Sequence, residues 1–365
     1  MASIEEKNRQ SIARGRYFKW LRQRFQNIDL VELADEPAPI NLRQIFVPMY
    51  VGNEDVNEGS MATPDKVEQE QPAGEKAWDL LIRDPFVVLS GRPGSGKSTL
   101  AKVLISELCS ERFPDIKKSI AGEKTITPIP FILRDYPDIF KIENIDGLLD
   151  QWWEKVEAQS KQDKFEIDVP CLRLSLNAGP EISPLLLIFD GIDETGGSGV
   201  RSKIIRLAFQ ARQRGCRILI TGRPAGLTDL DFALIGRELI SSEQSTFTGP
   251  DYSGPSGPEK GAELNTNIKI TYLLPFNWDQ INTFIRAWYN LRLEWKAKTD
   301  MGVANFLNAL QDKGRAYLQA LARRPIFMTL MALVHCSRNE MPYGRAQLYE
   351  AIIDLYLARQ ERHRQ

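Results

Sequence analysis

Histidine is almost missing from this chain: His335 and His363 are the only two in 365 residues. That scarcity argues against an imidazole-built zinc centre and against a hydrolase triad with a histidine base. Cysteine is also sparse. Cys109, Cys171, Cys216 and Cys336 lie far apart and form no C-x-x-C pair, so they read as reduced, mostly buried thiols in a reducing compartment. No apolar run approaches the length of a bilayer span, and the opening MASIEEKNRQ holds no apolar signal core. Charge of one sign is missing too. The formal net charge is −1, which supplies no global field toward nucleic acid or anionic lipid. These absences predict a cytosolic protein with no membrane partner, for which nucleic acid is a disfavoured partner.

What is present is ordinary in bulk and specific in detail. Apolar residues make up 42% and charged residues 26%, as in a folded chain, and the length suggests about two or three domains. The apolar run Phe86–Leu89 leads into GRPGSGKST, that is Gly91, Arg92, Pro93, Gly94, Ser95, Gly96, Lys97, Ser98 and Thr99. A strand entering G-x-x-x-x-G-K-[ST] and leaving as an amphipathic helix is the phosphate-binding P-loop in its required context. The glycines let the backbone curl so that its N–H groups point inward, toward an anion at a helix N-terminus. Lys97 adds a point charge for the β- and γ-phosphates, and the Ser98 hydroxyl can ligate Mg²⁺. An N-K-x-D guanine-reading motif is absent, which favours ATP over GTP.

Around this loop the pattern alternates strand and helix. Strands are expected at 86–89, 129–133, 185–189, 217–221 and 268–274, with helices at 98–111, 145–156 and 200–214 between them. Leu185–Phe189 is apolar throughout, as in a strand covered on both faces. Such alternation predicts a parallel five-stranded sheet with helices on both sides. From Asn277 the strand signals stop. Asn277 and Gln280 form a capping-box pattern before Trp278, Ile281, Phe284, Ile285 and Trp288, and further helices are expected at 303–321, 325–336 and 345–360. The expected organisation is an N-terminal segment (1–50), an acidic loop (51–75), a nucleotide-binding domain (76–276) and an all-helical domain (277–365). The basic helix at about 4–26 reads as a packed helix with a solvated charged face, and the loop at 241–261, rich in Gly, Pro and Ser, as a surface excursion.

Two further signatures follow strands. LLLIFDGIDE places Asp190, Asp193 and Glu194 after the third strand. An acidic residue there is the usual Mg²⁺-side carboxylate, which assigns Asp190. Asp193 and Glu194 are then placed to accept a proton from an attacking water or to orient it. ITGRP puts Arg223 after the fourth strand. Ligands of open α/β sheets sit beyond the strands' carboxyl ends, so a guanidinium there can read whether a γ-phosphate is present. The alternative is an arginine held in a scaffold ion pair.

Together these motifs resemble the NACHT family of STAND ATPases, whose Walker A, Walker B and sensor-1 patterns occur in the same order. DG-x-DE is the discriminating part. The resemblance implies an AAA+-like P-loop fold followed by a helical domain, with LLPFNWDQINTFIRAWY, RRPIFMTLMALVH and MPYGRAQLYEAIIDLY similar to segments of that domain. It implies that Pro325 approaches the nucleotide base and that Ile45–Met49, including Val47 and Pro48, lies near the adenine. It also implies ATP or ADP with Mg²⁺ as cofactors, slow hydrolysis, and a nucleotide-dependent homo-oligomer in innate immune or antiphage signalling. The family's winged-helix, sensor and effector domains are expected as separate or missing partners, and His363 is not in a motif to serve as the winged-helix histidine. The competing reading is an AAA+-like motor on nucleic acid or protein, using the N-terminal helix and the basic helix of Arg201, Lys203, Arg206, Arg212 and Arg214 as contact surfaces. A third is a scaffold that binds nucleotide without hydrolysing it.

Overall fold

The computed structural model describes residues 4–27, 40–53, 74–110, 126–177, 185–232, 234–235, 268–291, 299–338 and 340–362. Most of the acidic loop, the 241–261 excursion and His363 lie outside them. In chain order the elements begin with α1 (Ile4–Phe25), the single turn α2 (Leu42–Ile45), β1 (Tyr50–Gly52), β2 (Glu75–Lys76) and α3 (Ala77–Arg83). Strand and helix then alternate as β3 (Phe86–Ser90), α4 (Lys97–Leu108), β4 (Thr127–Ile132), α5 (Ile145–Gln162), α6 (Val169–Asn177), β5 (Leu185–Asp190), α7 (Ser198–Gln213), β6 (Arg217–Gly222) and the short α8 (Pro224–Leu227). After β7 (Ile270–Leu273) come α9 (Trp278–Leu291), α10 (Thr299–Gln311), α11 (Ala316–Ala322), α12 (Pro325–Arg338) and α13 (Arg345–Arg362). Two compact units arise, each from separated stretches: residues 1–20, 81–90 and 108–271, and residues 21–80, 91–107 and 272–365.

The first unit is built on parallel strands in the order β3-β6-β5-β4. Leu186 to Phe189 are buried along the whole of β5, as the uninterrupted apolar run requires. Each such side chain contributes about 1.5–3 kcal/mol by leaving water. Phe189 stacks on Phe131 of β4 with centroids 5.2 Å apart, and Phe209 of α7 lies 5.1 Å from Phe86 of β3. The register sets Ser90 opposite Gly222 and Ile132 opposite Asp190. The strands therefore end together on one edge, and the peptide bond after Ser90 starts the P-loop.

Helix α1 is packed, as its apolar stripe implies. Tyr17 is fully buried and donates its hydroxyl to the Pro128 carbonyl at 2.8 Å; Trp20 donates to Asp163 Oδ2 at 2.8 Å. Burial pushes the Tyr17 phenol well above its ordinary pKa. Two of the basic residues of α1 are tied down: Arg9 pairs with Asp168 and Arg16 donates to the Glu166 carbonyl. Helix α6 has no counterpart in the sequence pattern above. It is started by Asp168, whose Oδ1 accepts the Cys171 N–H at 3.0 Å.

In the second unit β1 pairs antiparallel with β2 on one side and with β7 on the other. The expected strand at 268–274 forms at Ile270–Leu273. The capping box of α9 closes in both directions: Gln280 N–H donates to Asn277 Oδ1 at 2.8 Å, and Asn277 N–H to Gln280 Oε1 at 2.9 Å. The helix expected at 303–321 is instead two helices, α10 and α11. Asp312 breaks it by accepting the Gly314 N–H at 2.9 Å, a local bond that competes with helix continuation. Arg43 Nε sits 2.6 Å from Glu107 Oε1, joining α2 to the last turn of α4. Burial raises the Glu107 pKa and the arginine opposes that shift.

His335 of α12 is buried beside Phe306 and hydrogen-bonded through Nδ1 to the Tyr289 hydroxyl. Desolvation lowers its pKa to about 4. The unfolded chain binds that proton near the ordinary value of 6.5, and the folded chain refuses it until about 4. Stability from this group is therefore constant above 6.5 and falls by about 3 kcal/mol as pH drops to 4, of which about 2 kcal/mol is gone by pH 5. Urea midpoints at pH 7.5 and 5.0 will show this fall in the wild type and a flatter response in His335→Phe. Equal losses in both proteins would remove His335 as the cause.

Candidate functional site

The P-loop lies in the second unit. Ser95 N–H donates to the Arg92 carbonyl at 3.1 Å and Leu100 N–H to Gly96 O at 2.8 Å, so the loop passes directly into α4. Gly94 (φ 76°) and Gly96 (φ 96°) are left-handed, a conformation that costs other residues about 1–2 kcal/mol. Lys97 folds its ammonium back onto the loop, 2.5 Å from Gly91 O and 3.3 Å from Arg92 O. A cation is thus fixed within the curl of backbone at a helix N-terminus. Ser95 Oγ is buried and has no hydrogen-bond partner among the described residues, and a Cβ at Gly91 would lie 2.5 Å from it. A left-handed glycine loop, a captive ammonium and an orphaned hydroxyl suit an anionic, acceptor-rich ligand such as a polyphosphate. Ser98 is exposed on the first turn of α4 and Thr99 is half-buried beside it.

Two sequence-distant segments close on this loop within the same unit. A Cβ at Gly96 would lie 2.6 Å from Met49 Cε and 3.5 Å from Pro325 Cγ. A Cβ at Gly94 would lie 2.2 Å from Ile326 Cγ2, and Ile326 N–H donates to the Gly94 carbonyl at 3.3 Å. Pro325 takes the first position of α12, where its missing N–H costs nothing. Val47 and Met49 are buried; Pro48 is exposed, and its carbonyl accepts Gln280 Nε2 at 2.6 Å. The structure therefore sets Pro325 beside Gly96 of the loop, while Val47 and Pro48 precede Met49, the residue of that segment that meets the same glycine. Met49 and Ile326 complete this group, and periodicity gave no signal for either.

Asp190, Asp193, Glu194 and Arg223 form a cluster in the first unit, on the edge where β5 and β6 end. Asp190 is 7% exposed, and its Oδ1 accepts the Thr221 hydroxyl at 2.5 Å. Thr221 Oγ1 in turn accepts the Gly191 N–H at 3.1 Å. Gly191 is left-handed (φ 83°), which turns the chain into the single turn Ile192–Glu194. Asp193 is engaged twice by Arg223: Oδ1 accepts the Arg223 backbone N–H at 2.8 Å, and Oδ2 lies 3.0 Å from Nε. Glu194 is exposed, its carboxylate folded toward Gly191. Thr221 is the residue sequence reasoning passed over, although its place before Gly222-Arg223 at a strand end was a usable signal.

The basic helix offered to the motor reading is α7. Arg201 pairs with Asp229 at 2.6 Å, and Arg214, just beyond the helix, pairs with Asp146 at 2.5 Å. The Arg214 pair holds the Asp146 pKa below the usual carboxylate range. Two of the five cations are thus neutralised within the fold. Among the described residues no helix is long and apolar enough to cross a membrane.

One comparison with known proteins, a family match, points the same way as the loop. The family model described as Novel STAND NTPase 3 matches residues 69–168, which hold β3, the P-loop, α4, β4 and α5. No curated protein sequence matches the chain. Among solved structures, a Walker-type ATPase of Pyrococcus abyssi aligns over 78% of this chain and 72% of its own, at 13% identity and a TM-score of 0.38. Cdc6p from Pyrobaculum aerophilum aligns over 85% and 91%, at 14% identity and a TM-score of 0.28. C. elegans PCH-2 aligns over 78% and 66%, at 14% identity and a TM-score of 0.21. At these scores the fold rests on the strand register and loop geometry described above. With a strand-borne P-loop lying inside the matched span, the chain carries a P-loop nucleotide-binding fold, and over residues 69–168 it is similar to the STAND NTPases.

Proposed function

We propose that this chain is a nucleotide-dependent switch of the NACHT kind, which binds ADP at rest and ATP with Mg²⁺ when active, and assembles with copies of itself in the cytosol during immune or antiphage signalling. The observation that carries this reading is the seating of Pro325 and Ile326 on Gly94 and Gly96 of the P-loop. A phosphate chain held by that loop is next to the start of a long helix. A nucleotide whose phosphates favour one placement of α12 over another shifts the population by its difference in affinity for the two.

The loop amides and Lys97 would hold the β- and γ-phosphates, and each unit offers its own candidate for Mg²⁺, Ser98 on the loop and Asp190 at the end of β5. When bound, the metal neutralises phosphate charge. The chain's own groups do the rest: Thr221 fixes the Asp190 carboxylate, Val47, Pro48 and Pro325 line the base side, and the exposed Glu194 is free to orient a water and take its proton. Slow turnover would then act as a reset. A motor would need a charged track, and the ion pairs of Arg201 and Arg214 detract from one.

The test is the nucleotide that accompanies the protein. Denaturing freshly purified protein and separating the supernatant by ion-exchange chromatography will release ADP in near-stoichiometric amount. An empty protein with rapid, DNA-stimulated turnover would overturn the switch in favour of a motor.

A further inference from the structure

We propose that Gln280 is a positioning residue: it pins Pro48 so that the adjoining Met49 stays on Gly96 of the P-loop, and it thereby slows the departure of a bound nucleotide. This inference rests on the nucleotide reading above and deepens it. A capping box takes Glu or Gln at its last position, because only a side-chain oxygen is needed there. Gln280 Oε1 meets that need by accepting the Asn277 N–H at 2.9 Å. The amide nitrogen is surplus to the cap, yet Gln280 is only 6% exposed, and a buried donor needs an acceptor. Nε2 finds one far away in the chain, the Pro48 carbonyl at 2.6 Å. This bond ties the start of α9 to the segment before β1, and both lie in the second unit with the P-loop.

Met49 is 3% exposed, and a Cβ on Gly96 would lie 2.6 Å from its Cε and 3.3 Å from its Sδ. Glycine has more backbone freedom to lose than any other residue, so a glycine curl keeps its shape best where neighbours pack on it. Met49 supplies such packing through a flexible side chain, and where its root is held decides whether it stays. The root is held at three successive carbonyls: Pro48 by Gln280, Met49 by the Ala77 N–H at 2.9 Å and Tyr50 by the Leu274 N–H at 2.9 Å. The last two are backbone bonds. The first is made by a side chain and can be removed by one substitution. The other cover of Gly96 is anchored in the same stretch. Phe276 N–H donates to the Arg323 carbonyl at 2.8 Å and Arg323 Nε to the Phe276 carbonyl at 3.1 Å, two residues before Pro325, which also faces Gly96. Residues 276–280 thus anchor both segments whose side chains cover this glycine. A loop held in its binding shape before the ligand arrives binds more tightly, and such gains appear mainly as slower dissociation.

The experiment follows the release of mant-ADP, chased with excess ADP, from wild type, Gln280→Glu, Met49→Leu, the double variant and Asn277→Ala, with thermal unfolding of each. Gln280→Glu keeps the capping box and loses the proton offered to Pro48. Met49→Leu conserves volume and removes the terminal methyl group that meets Gly96. Asn277→Ala weakens the start of α9 and leaves the bond to Pro48 in place. Gln280→Glu is expected to release the probe about tenfold faster than wild type, the effect of one buried hydrogen bond, and Asn277→Ala within about twofold of wild type. Met49→Leu will also release faster, and the double variant no faster than the faster single variant, because both changes act on one contact. Release from Gln280→Glu or from Met49→Leu at the wild-type rate overturns the inference, and Met49→Leu carries the test by itself if Gln280→Glu does not fold. An acceleration in Asn277→Ala equal to that in Gln280→Glu also overturns it, by assigning the effect to the helix start in general. Accelerations that multiply in the double variant do the same, by making the two side chains independent. A wild type that carries no ADP and binds no mant-ADP defeats the nucleotide reading itself, a result distinct from tight binding that Gln280→Glu leaves unchanged.

Discussion

Lys97→Ala protein will come through purification empty, and its affinity for ADP or ATPγS will fall at least about 100-fold. The size follows from what the ammonium does. It is held inside the P-loop by the Gly91 and Arg92 carbonyls, so it is already ordered where phosphates would lie. Each charge-assisted hydrogen bond to a phosphate oxygen contributes about 1.5–3 kcal/mol, and losing two of them accounts for a drop of that order. The folded protein should hardly notice. Lys97 is the first residue of α4, where a cation opposes the helix dipole by about 0.3–1 kcal/mol, and relief of that opposition offsets the lost bond to Gly91. Unchanged thermal unfolding of the nucleotide-free variant, set against wild type stripped of nucleotide, separates lost binding from lost structure. Retention of ADP by Lys97→Ala through purification would refute the assignment of this loop as the phosphate site.

How much of this was readable beforehand depends on the range over which each signal acts. The P-loop was legible because strand, glycine curl and helix are consecutive in the chain and leave a local pattern. The capping box at Asn277 was legible for the same reason: both bonds span three residues. Strand β5 announced itself because a strand covered on both faces has no polar positions to interrupt it. The break between α10 and α11 was also local, carried by Asp312 and Gly314, but an apolar periodicity running through 303–321 hid it. Helix α6 had no counterpart in the periodicity, although Asp168 before Val169-Pro170 was a usable N-terminal signal.

The chemistry of the acidic cluster was only half legible. Sequence placed Asp190, Asp193, Glu194 and Arg223 at strand ends, yet gave Asp193 and Glu194 a shared role. What separates them is a contact across 30 positions, from Asp193 to Arg223, and the burial that accompanies it. The same limit applies to Met49 and Ile326. A methionine and an isoleucine carry no chemical signature, and their importance arises only because the glycines leave room that these side chains fill. The resemblance set Pro325 near the nucleotide base as an expectation, and no spacing rule points to its neighbour as the residue that meets Gly94.

That contact yields the second large effect. Gly94→Ala will lose both nucleotide affinity and stability, for two separable reasons. A left-handed φ of 76° costs an alanine about 1–2 kcal/mol, and the new Cβ would lie 2.2 Å from Ile326 Cγ2 and 3.1 Å from Ile326 Cβ, an overlap that costs a further 1–3 kcal/mol or so. Because Ile326 is rooted in the first turn of α12 and its N–H is bonded to the Gly94 carbonyl, the overlap is relieved by moving the helix or by distorting the loop. Ile326→Ala removes the overlap and leaves the backbone strain. The double variant should therefore recover about 1 kcal/mol or more relative to the sum of the single changes, read from urea unfolding and from ADP titration. Gly96→Ala supplies the contrast. Its φ of 96° is equally strained, but its Cβ would meet Met49 Cε at 2.6 Å, the far end of a flexible side chain that can swing away. Ile326→Ala should give Gly96→Ala no relief. If it rescues both glycine variants equally, or neither, then Ile326 is not what holds α12 against the loop, and coupling between the P-loop and the helical segment has to run through Pro325 alone.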